Sequence, residues 1–335
     1  MPRAPVTPFD VVEEDGGARL LRMGRGPRAP FALAPVVLVP SLLQRWTILD
    51  LVAETSLCRA LLAAGHDVFV VDWGELGDEP CLTWDDVIGR LGRLRRRAMK
   101  LARMRTAALV GYSQGATVAA ISAALQPETV AALVDIAGPI DFAAAETSVL
   151  GPLTRLCSAD LLADAGGVPA GAFRAVVAAM HPGATALSLL SALAHPDPST
   201  RATFLALEQW ANDAVALPPE VLRVWLGRLY QENALVAGRL SVAGRRVDLK
   251  AVRSPTLVVT AERDTICPPA AAATLLDQVG SREVARLIVP GGHVSGIAGP
   301  GSAETLHRPL AAWLAGVLAE RPTATPSASV LHVRN

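Results

Sequence analysis

The sequence predicts an α/β protein: a mostly parallel central sheet flanked by helices, with a helical cap inserted between two parts of the sheet-forming core. Three observations predict it. Six short runs, Val36–Val39, Val68–Val71, Ala107–Val110, Ala132–Ile136, Thr256–Thr260 and Arg286–Val289, are near-continuous in aliphatic residues, as strands covered on both faces are. Helix-spaced segments separate the early runs, and such alternation implies parallel βαβ units. The alternation stops after Asp141 and resumes at Ser254, so a long stretch interrupts one sheet.

The elements follow in order. Val11–Met23, with Asp15-Gly16-Gly17 at its centre, reads as a hairpin added to one sheet edge. Thr55–Ala64 carries Leu57, Leu61 and Leu62 at helical spacing, and Gly65 stands where a glycine ends a helix. Trp84–Arg105 is a longer, Arg-rich helix, and Ala116–Leu125 follows the third strand run. From 143 to 250 come Ala/Leu-rich helical stretches punctuated by prolines such as Pro152, Pro182 and Pro218. This stretch reads as a cap rather than a separate domain, because the sheet needs strands from both sides of it. Residues 1–142 and 251–320 then form the core, with a last helix over Ala303–Glu320. The Pro/Ser/Thr-rich tail, 321–335, is expected to be mobile.

Composition bounds the function. The 335 residues are 51% hydrophobic and 19% charged, which excludes a disordered chain. Lys+Arg and Asp+Glu are each 31, so no global field draws nucleic acid or acidic lipid. Cys58, Cys81, Cys157 and Cys267 are widely spaced, which suggests free thiols rather than a disulfide framework or a zinc site. The N-terminus lacks the apolar core of a signal peptide, and no apolar run is long enough for a membrane span. A cytoplasmic protein without metal or cofactor is the expectation.

The motif that carries chemistry is Gly111-Tyr112-Ser113-Gln114-Gly115. It directly follows one strand run and opens a helix, the context of the nucleophile elbow of the α/β-hydrolase fold. A serine alcohol needs a base to take its proton and a carboxylate to orient that base. In this fold the acid and then the histidine follow the nucleophile in chain order. Of the six histidines only His293 sits just after a late strand, in Pro290-Gly291-Gly292-His293. His66, His181, His195, His307 and His332 read as surface or capping residues. Asp264 and Glu262 compete for the acid after Thr256–Thr260, with Asp141 a third candidate. Asp264 is preferred because it lies in the loop proper, while Glu262 reads as a loop salt-bridge residue. The backbone N–H groups of Gln114 and of Leu42, in the loop after the first sheet strand, are the expected oxyanion donors.

Two further features carry little. In the run Arg90, Arg93, Arg95, Arg96, Arg97, Lys100, Arg103 and Arg105, leucines and alanines recur at helical spacing, so it reads as a solvated helix face rather than a nucleic-acid site. Gly24 and Gly26 lack the Lys-Ser/Thr and the following helix of a phosphate loop.

Several segments resemble the polyhydroxyalkanoate synthases, most of all the short class whose catalytic subunit works with a second subunit. The similarity runs through Val36–Leu51, Gly65–Gly74, Leu229–Gly238, Gly244–Leu249, Glu262–Asp264 and Gly291–Val294, and is weaker over 143–228. The resemblance implies transfer of hydroxyacyl units from a CoA thioester through an acyl-enzyme, without metal or cofactor. It assigns the nucleophile to Ser113, the base to His293 and activation of the incoming hydroxyl to Asp264. It also implies a second synthase-type subunit or a homodimer as partner. The family nucleophile is normally Cys, and this chain has Ser113 there. Thiolates exchange acyl groups readily with thioesters, whereas an acyl-serine is an oxyester that water or an alcohol cleaves. The expected activity is therefore serine acyl transfer from a thioester to an alcohol, against a serine hydrolase of the same architecture.

Overall fold

The computed structural model describes residues 6–24, 33–148, 151–172, 175, 179, 190, 194–319 and 329–332. Gly26, His181, Pro182 and the tail positions 321–328 and 333–335 lie outside the described residues. All six predicted runs become strands. A hairpin of β1 (Phe9–Asp15) and β2 (Ala18–Met23) precedes β3 (Val36–Val39), β4 (Val68–Asp72), β5 (Ala107–Tyr112) and β6 (Val130–Ile136). A second hairpin, β7 (Ser241–Val242) and β8 (Arg245–Arg246), comes before β9 (Thr256–Ala261), β10 (Val284–Val289) and β11 (Ser329–His332).

The sheet order is β1-β2-β4-β3-β5-β6-β9-β10-β11. Pairing is parallel from β4 through β11, and antiparallel where β2 joins β1 and β4. The chain runs from β3 outward to β4 and then returns to β5 on the other side of β3. That reversal opens a crevice beyond the carboxyl ends of β3 and β5, where this architecture places its ligands.

The unbroken apolar runs follow from burial on both faces. Val37, Val39, Phe69, Val71 and Leu109 join one apolar layer. Val36, Leu38, Val68, Val70 and Val110 join the other. Each such side chain, withdrawn from water, contributes roughly 1.5–3 kcal/mol. Helix α1 (Leu57–Ala63) ends at Gly65, whose φ of 87° is open to glycine without strain. Thr83 and Asp86 close a capping box on helix α2 (Trp84–Ala102). Helix α3 (Gln114–Leu125) is buried along its whole length, which explains why its sequence shows no polar face.

Between β6 and β9 the described chain forms helices, among them Pro198–Ala211 and the π-helix Arg223–Gln231, and the short β7–β8 hairpin. The hairpin had no signal in a stretch read as helical, because two-residue strands are too short for alternation. Its turn, Ala243-Gly244, has φ of 48° and 73°, the paired positive values of a tight hairpin turn. β11 lies in the tail expected to be mobile and pairs in parallel with β10. Its Ser-Val-Leu-His sequence is better strand material than the Pro-rich residues before it.

Two other expectations need correction. His66 and His307 are buried, not surface residues; His66 Nε2 faces the Ala311 carbonyl at 3.4 Å and His307 Nε2 the Ile297 carbonyl at 2.8 Å. The α2 arginines are also more than a solvated face. Arg93 pairs with Asp15 and Arg97 with Glu13 of the β1 hairpin, Arg90 pairs with Glu79, and Arg95 is wholly buried against Gln126 (2.8 Å). The charge run clamps the edge hairpin to the core. No described helix is long and apolar enough to cross a membrane.

Candidate active site

Ser113 stands at the turn from β5 into α3 with φ 55° and ψ −128°, a backbone state that costs a non-glycine residue roughly 1–3 kcal/mol. The surroundings hold it there. Ser113 N–H donates to the Ile136 carbonyl (2.9 Å), and its own carbonyl accepts from Ala116 N–H (2.9 Å). The flanking glycines are required by close approach: a Cβ on Gly111 would lie 2.2 Å from Ala116 Cα, and one on Gly115 would lie 2.1 Å from the Val39 carbonyl oxygen. Although Ser113 precedes the helix, its side chain makes no capping bond. Its Oγ lies instead 3.0 Å from His293 Nε2.

His293 follows β10 in a loop bent at Gly291 (φ 96°) and steadied by a bond from Gly292 N–H to Ser295 Oγ (3.0 Å). Tyr112, the residue before the nucleophile, donates its hydroxyl to the His293 carbonyl (3.3 Å) and lays its ring 5.4 Å from the imidazole. His293 Nδ1 lies 2.8 Å from Asp264 Oδ2. Asp264 in turn accepts from Ile266 N–H (2.9 Å) and Cys267 N–H (2.8 Å) on Oδ1. Those two donors leave Oδ2 to the imidazole. A carboxylate at Nδ1 fixes the tautomer that leaves Nε2 free to accept from the serine hydroxyl.

The structure thus brings Ser113, His293 and Asp264 into one hydrogen-bonded line. The other acid candidates lie elsewhere. Glu262 is exposed and has no ion pair among the described residues. Asp141 Oδ1 accepts from Ala143 N–H (3.0 Å), Ala144 N–H (3.3 Å) and Asn233 Nδ2 (2.8 Å), while Asn233 Oδ1 accepts from Phe142 N–H (3.0 Å). That exchange ties the strand end after β6 to the turn after the π-helix.

Gln114 is the first residue of α3, so its N–H is one that the helix leaves unpaired. The segment carrying Leu42 runs against it: a Cβ on Gly115 would also meet the Pro40 carbonyl oxygen at 2.4 Å. Ser41 Oγ donates to Gln114 Oε1 (3.3 Å) and accepts from Leu43 N–H (3.3 Å), and Trp73 Nε1 donates to the Pro40 carbonyl (3.1 Å). The segment leading into Leu42 therefore packs against Gln114 and Gly115, the first residues of α3.

Several groups escaped the sequence reading. Asp135, beside Gly111 in the β6 register, is wholly buried, and burial drives its carboxyl well above the usual carboxylate range. Its Oδ1 accepts from Gly138 N–H (2.7 Å) at the turn packed under the elbow. Burial, reinforced by the charge of Asp264, raises the Cys267 thiol and the Tyr112 phenol; both stay protonated. Phe142, Trp225 and Tyr230 stack edge to face, with ring centroids 4.8–5.8 Å apart. Their aromatic character was visible, but nothing local indicated that they meet.

Residues 170–284 match a family described as "Protein of unknown function (DUF3141)". The chain is 29% identical over 297 residues to the poly(3-hydroxyalkanoate) polymerase subunit PhaC of Allochromatium vinosum, covering 86% of this chain and 83% of that one. It is 28% identical over 267 residues to the polymerase subunit PhaC of Thiocystis violacea, covering 78% and 74%. Among solved structures, a soluble variant of monoglyceride lipase from Saccharomyces cerevisiae, in complex with a substrate analog, superposes with a TM-score of 0.59 at 15% identity, covering 94% of this chain and 98% of that one. The lipase likeness concerns the fold, and the polymerase subunits span both halves of the sheet. The chain is an enzyme with the α/β-hydrolase fold, similar along most of its length to poly(3-hydroxyalkanoate) polymerase subunits.

Proposed function

We propose that the protein is a serine acyltransferase that moves a hydroxyacyl or similar acyl group from a thioester, such as an acyl-CoA, to an alcohol. The observation that carries this reading is the line Ser113 Oγ, His293 Nε2 (3.0 Å), His293 Nδ1, Asp264 Oδ2 (2.8 Å). In the first half-reaction Ser113 Oγ attacks the thioester carbonyl as His293 Nε2 takes the hydroxyl proton. The N–H groups of Gln114 and Leu42 hold the oxyanion. Collapse breaks the C–S bond, and the leaving thiol receives the proton from His293. In the second half-reaction the acceptor alcohol gives its proton to His293 and attacks the acyl-serine, and the serine oxygen leaves with that proton. Asp264 orients the imidazole and stabilises its charged form.

The stretch 143–250 is the proposed cap over this site, and its role is to keep water from the acyl-serine. Similarity to polymerase subunits along most of the chain favours an alcohol acceptor. The serine favours the second reading, a hydrolase with the same line of residues and water as acceptor, because an acyl-serine is an ester that water cleaves. Mass spectrometry of the products from 3-hydroxybutyryl-CoA, with Ser113→Ala as control, separates the two. Oligomers or a transferred acyl group establish the transferase. Free 3-hydroxybutyrate alone, dependent on Ser113, establishes the hydrolase.

A further inference from the structure

The loop proposed to hold the oxyanion is supported on two sides. On one side Ser41 bonds to the Gln114 side chain. On the other it meets the chain segment 210–217, which belongs to the stretch between β6 and β9. Val215 N–H donates to the Leu43 carbonyl (3.0 Å), and Gln44 and Ala214 form an antiparallel bridge. Trp210 Nε1 donates to the Arg45 carbonyl (2.8 Å). The Arg45 guanidinium reaches Asp213 Oδ1 through Nε (3.3 Å), and also pairs with Glu75 and the Gly74 carbonyl. Leu217 continues outward, exchanging backbone hydrogen bonds with Val168. Trp210, Val215 and Leu217 are all buried.

A loop with no strand beyond it has no sheet ladder to set its position. Leu42 is one residue from the carbonyl that Val215 holds and three from the one that Trp210 holds. A shift of about 1 Å in a donor costs a preorganised site much of its value, since its hydrogen bonds must meet the oxyanion and not the ground-state carbonyl. We infer that the end of the helix Pro198–Ala211 and the extended residues 213–217 after it position the oxyanion loop, with Trp210, in the helix's last turn, as the principal positioning residue and Asp213 as a secondary one. This inference rests on the proposed serine acyl transfer and deepens it: the cap-side segment sets transition-state stabilisation as well as covering the site.

The test is Trp210→Phe, which removes the indole N–H and keeps an aromatic ring. Wild type, Trp210→Phe and Ser113→Ala are titrated with a fluorophosphonate to count reactive sites. The phosphonylation rate constant, and kcat and KM for 3-hydroxybutyryl-CoA, are then expressed per titrated site. The expected result is a fall of about tenfold in kcat and in the phosphonylation constant, with KM within about twofold, a fraction of the roughly 100- to 1,000-fold that follows outright loss of one donor. Asp213→Asn, at a partly exposed position, is expected to shift the same constants by about threefold, and it carries the test if Trp210→Phe does not fold. Constants per site that match wild type, with fewer sites, mean a purely structural tryptophan and overturn the inference. A raised KM with unchanged kcat means a substrate contact and also overturns it. Wild-type protein left unlabelled at Ser113 overturns the acyl-transfer reading itself, and this inference with it.

Discussion

Gly115 and Val39 meet backbone to backbone, so closely that a Cβ on Gly115 would sit 2.1 Å from the Val39 carbonyl oxygen. No rotamer change relieves that overlap, because both sides are main chain. Gly115→Ala is therefore expected to force β3 and its following loop away from the start of α3, at a cost of about 2–3 kcal/mol. Activity should fall at least about tenfold with it, since the two proposed oxyanion donors sit on the segments driven apart. Urea denaturation and initial rates check the pair. Unchanged stability would mean that the contact relaxes without strain.

Ser113 gives the opposite sign for stability. Its φ of 55° costs energy that glycine does not pay, although glycine adds up to about 1 kcal/mol of unfolded-state entropy. Ser113→Gly is expected to raise stability by about 1 kcal/mol while fluorophosphonate labelling disappears. Ser113→Ala should leave turnover below about one thousandth of wild type. Higher residual turnover sinks the nucleophile assignment.

Asp264→Asn and Glu262→Gln separate the two neighbouring acids. Asn at 264 places an amide where His293 Nδ1 requires an acceptor, which disfavours the productive tautomer. The expected loss in kcat is about 1,000- to 10,000-fold, against less than about twofold for the exposed Glu262. Equal losses would transfer the role to Glu262.

Burial pulls the His307 imidazole down to about 4 from 6.5, and burial likewise lowers His66. In the unfolded chain both bind protons more readily than in the native protein, so stability rises with pH across this interval. The His307 contribution is complete above about pH 6.5 and lost as pH falls toward about 4, up to about 3 kcal/mol in all. Urea midpoints at pH 7.5 and pH 5 should show the drop, and His307→Gln should flatten it. An equal drop in that variant would assign the pH sensitivity to other groups.

The strands and the elbow were legible because their causes are local. A strand buried on both faces is apolar at every position, as in β3, β4 and β5, and the glycines at 111 and 115 announce a backbone that must pass closely. His293 was legible for the same reason: two glycines after a late strand run mark a loop of the right kind. Other features depend on neighbours remote in sequence. Nothing in the residues around His66 or His307 says that a carbonyl from another segment, Ala311 or Ile297, will close over each. The α2 arginines look solvated until the β1 hairpin supplies Glu13 and Asp15.

The sequence by itself determined the six core strand runs, the α/β class and the residue types able to carry acyl transfer, because periodicity and turn chemistry act over a few residues; β7, β8 and β11 are too short or too poorly flanked to show such a signal. Tertiary structure alone decided which carboxylate faces the imidazole. Asp264 and Glu262 are two positions apart and chemically alike, but the turn after β9 buries one with its Oδ2 on His293 and leaves the other in water. It also decided that Val215 and Trp210 lie along the loop after β3. Hydrogen bonds between segments about 170 residues apart arise from the packing of the whole chain, and no local pattern encodes them.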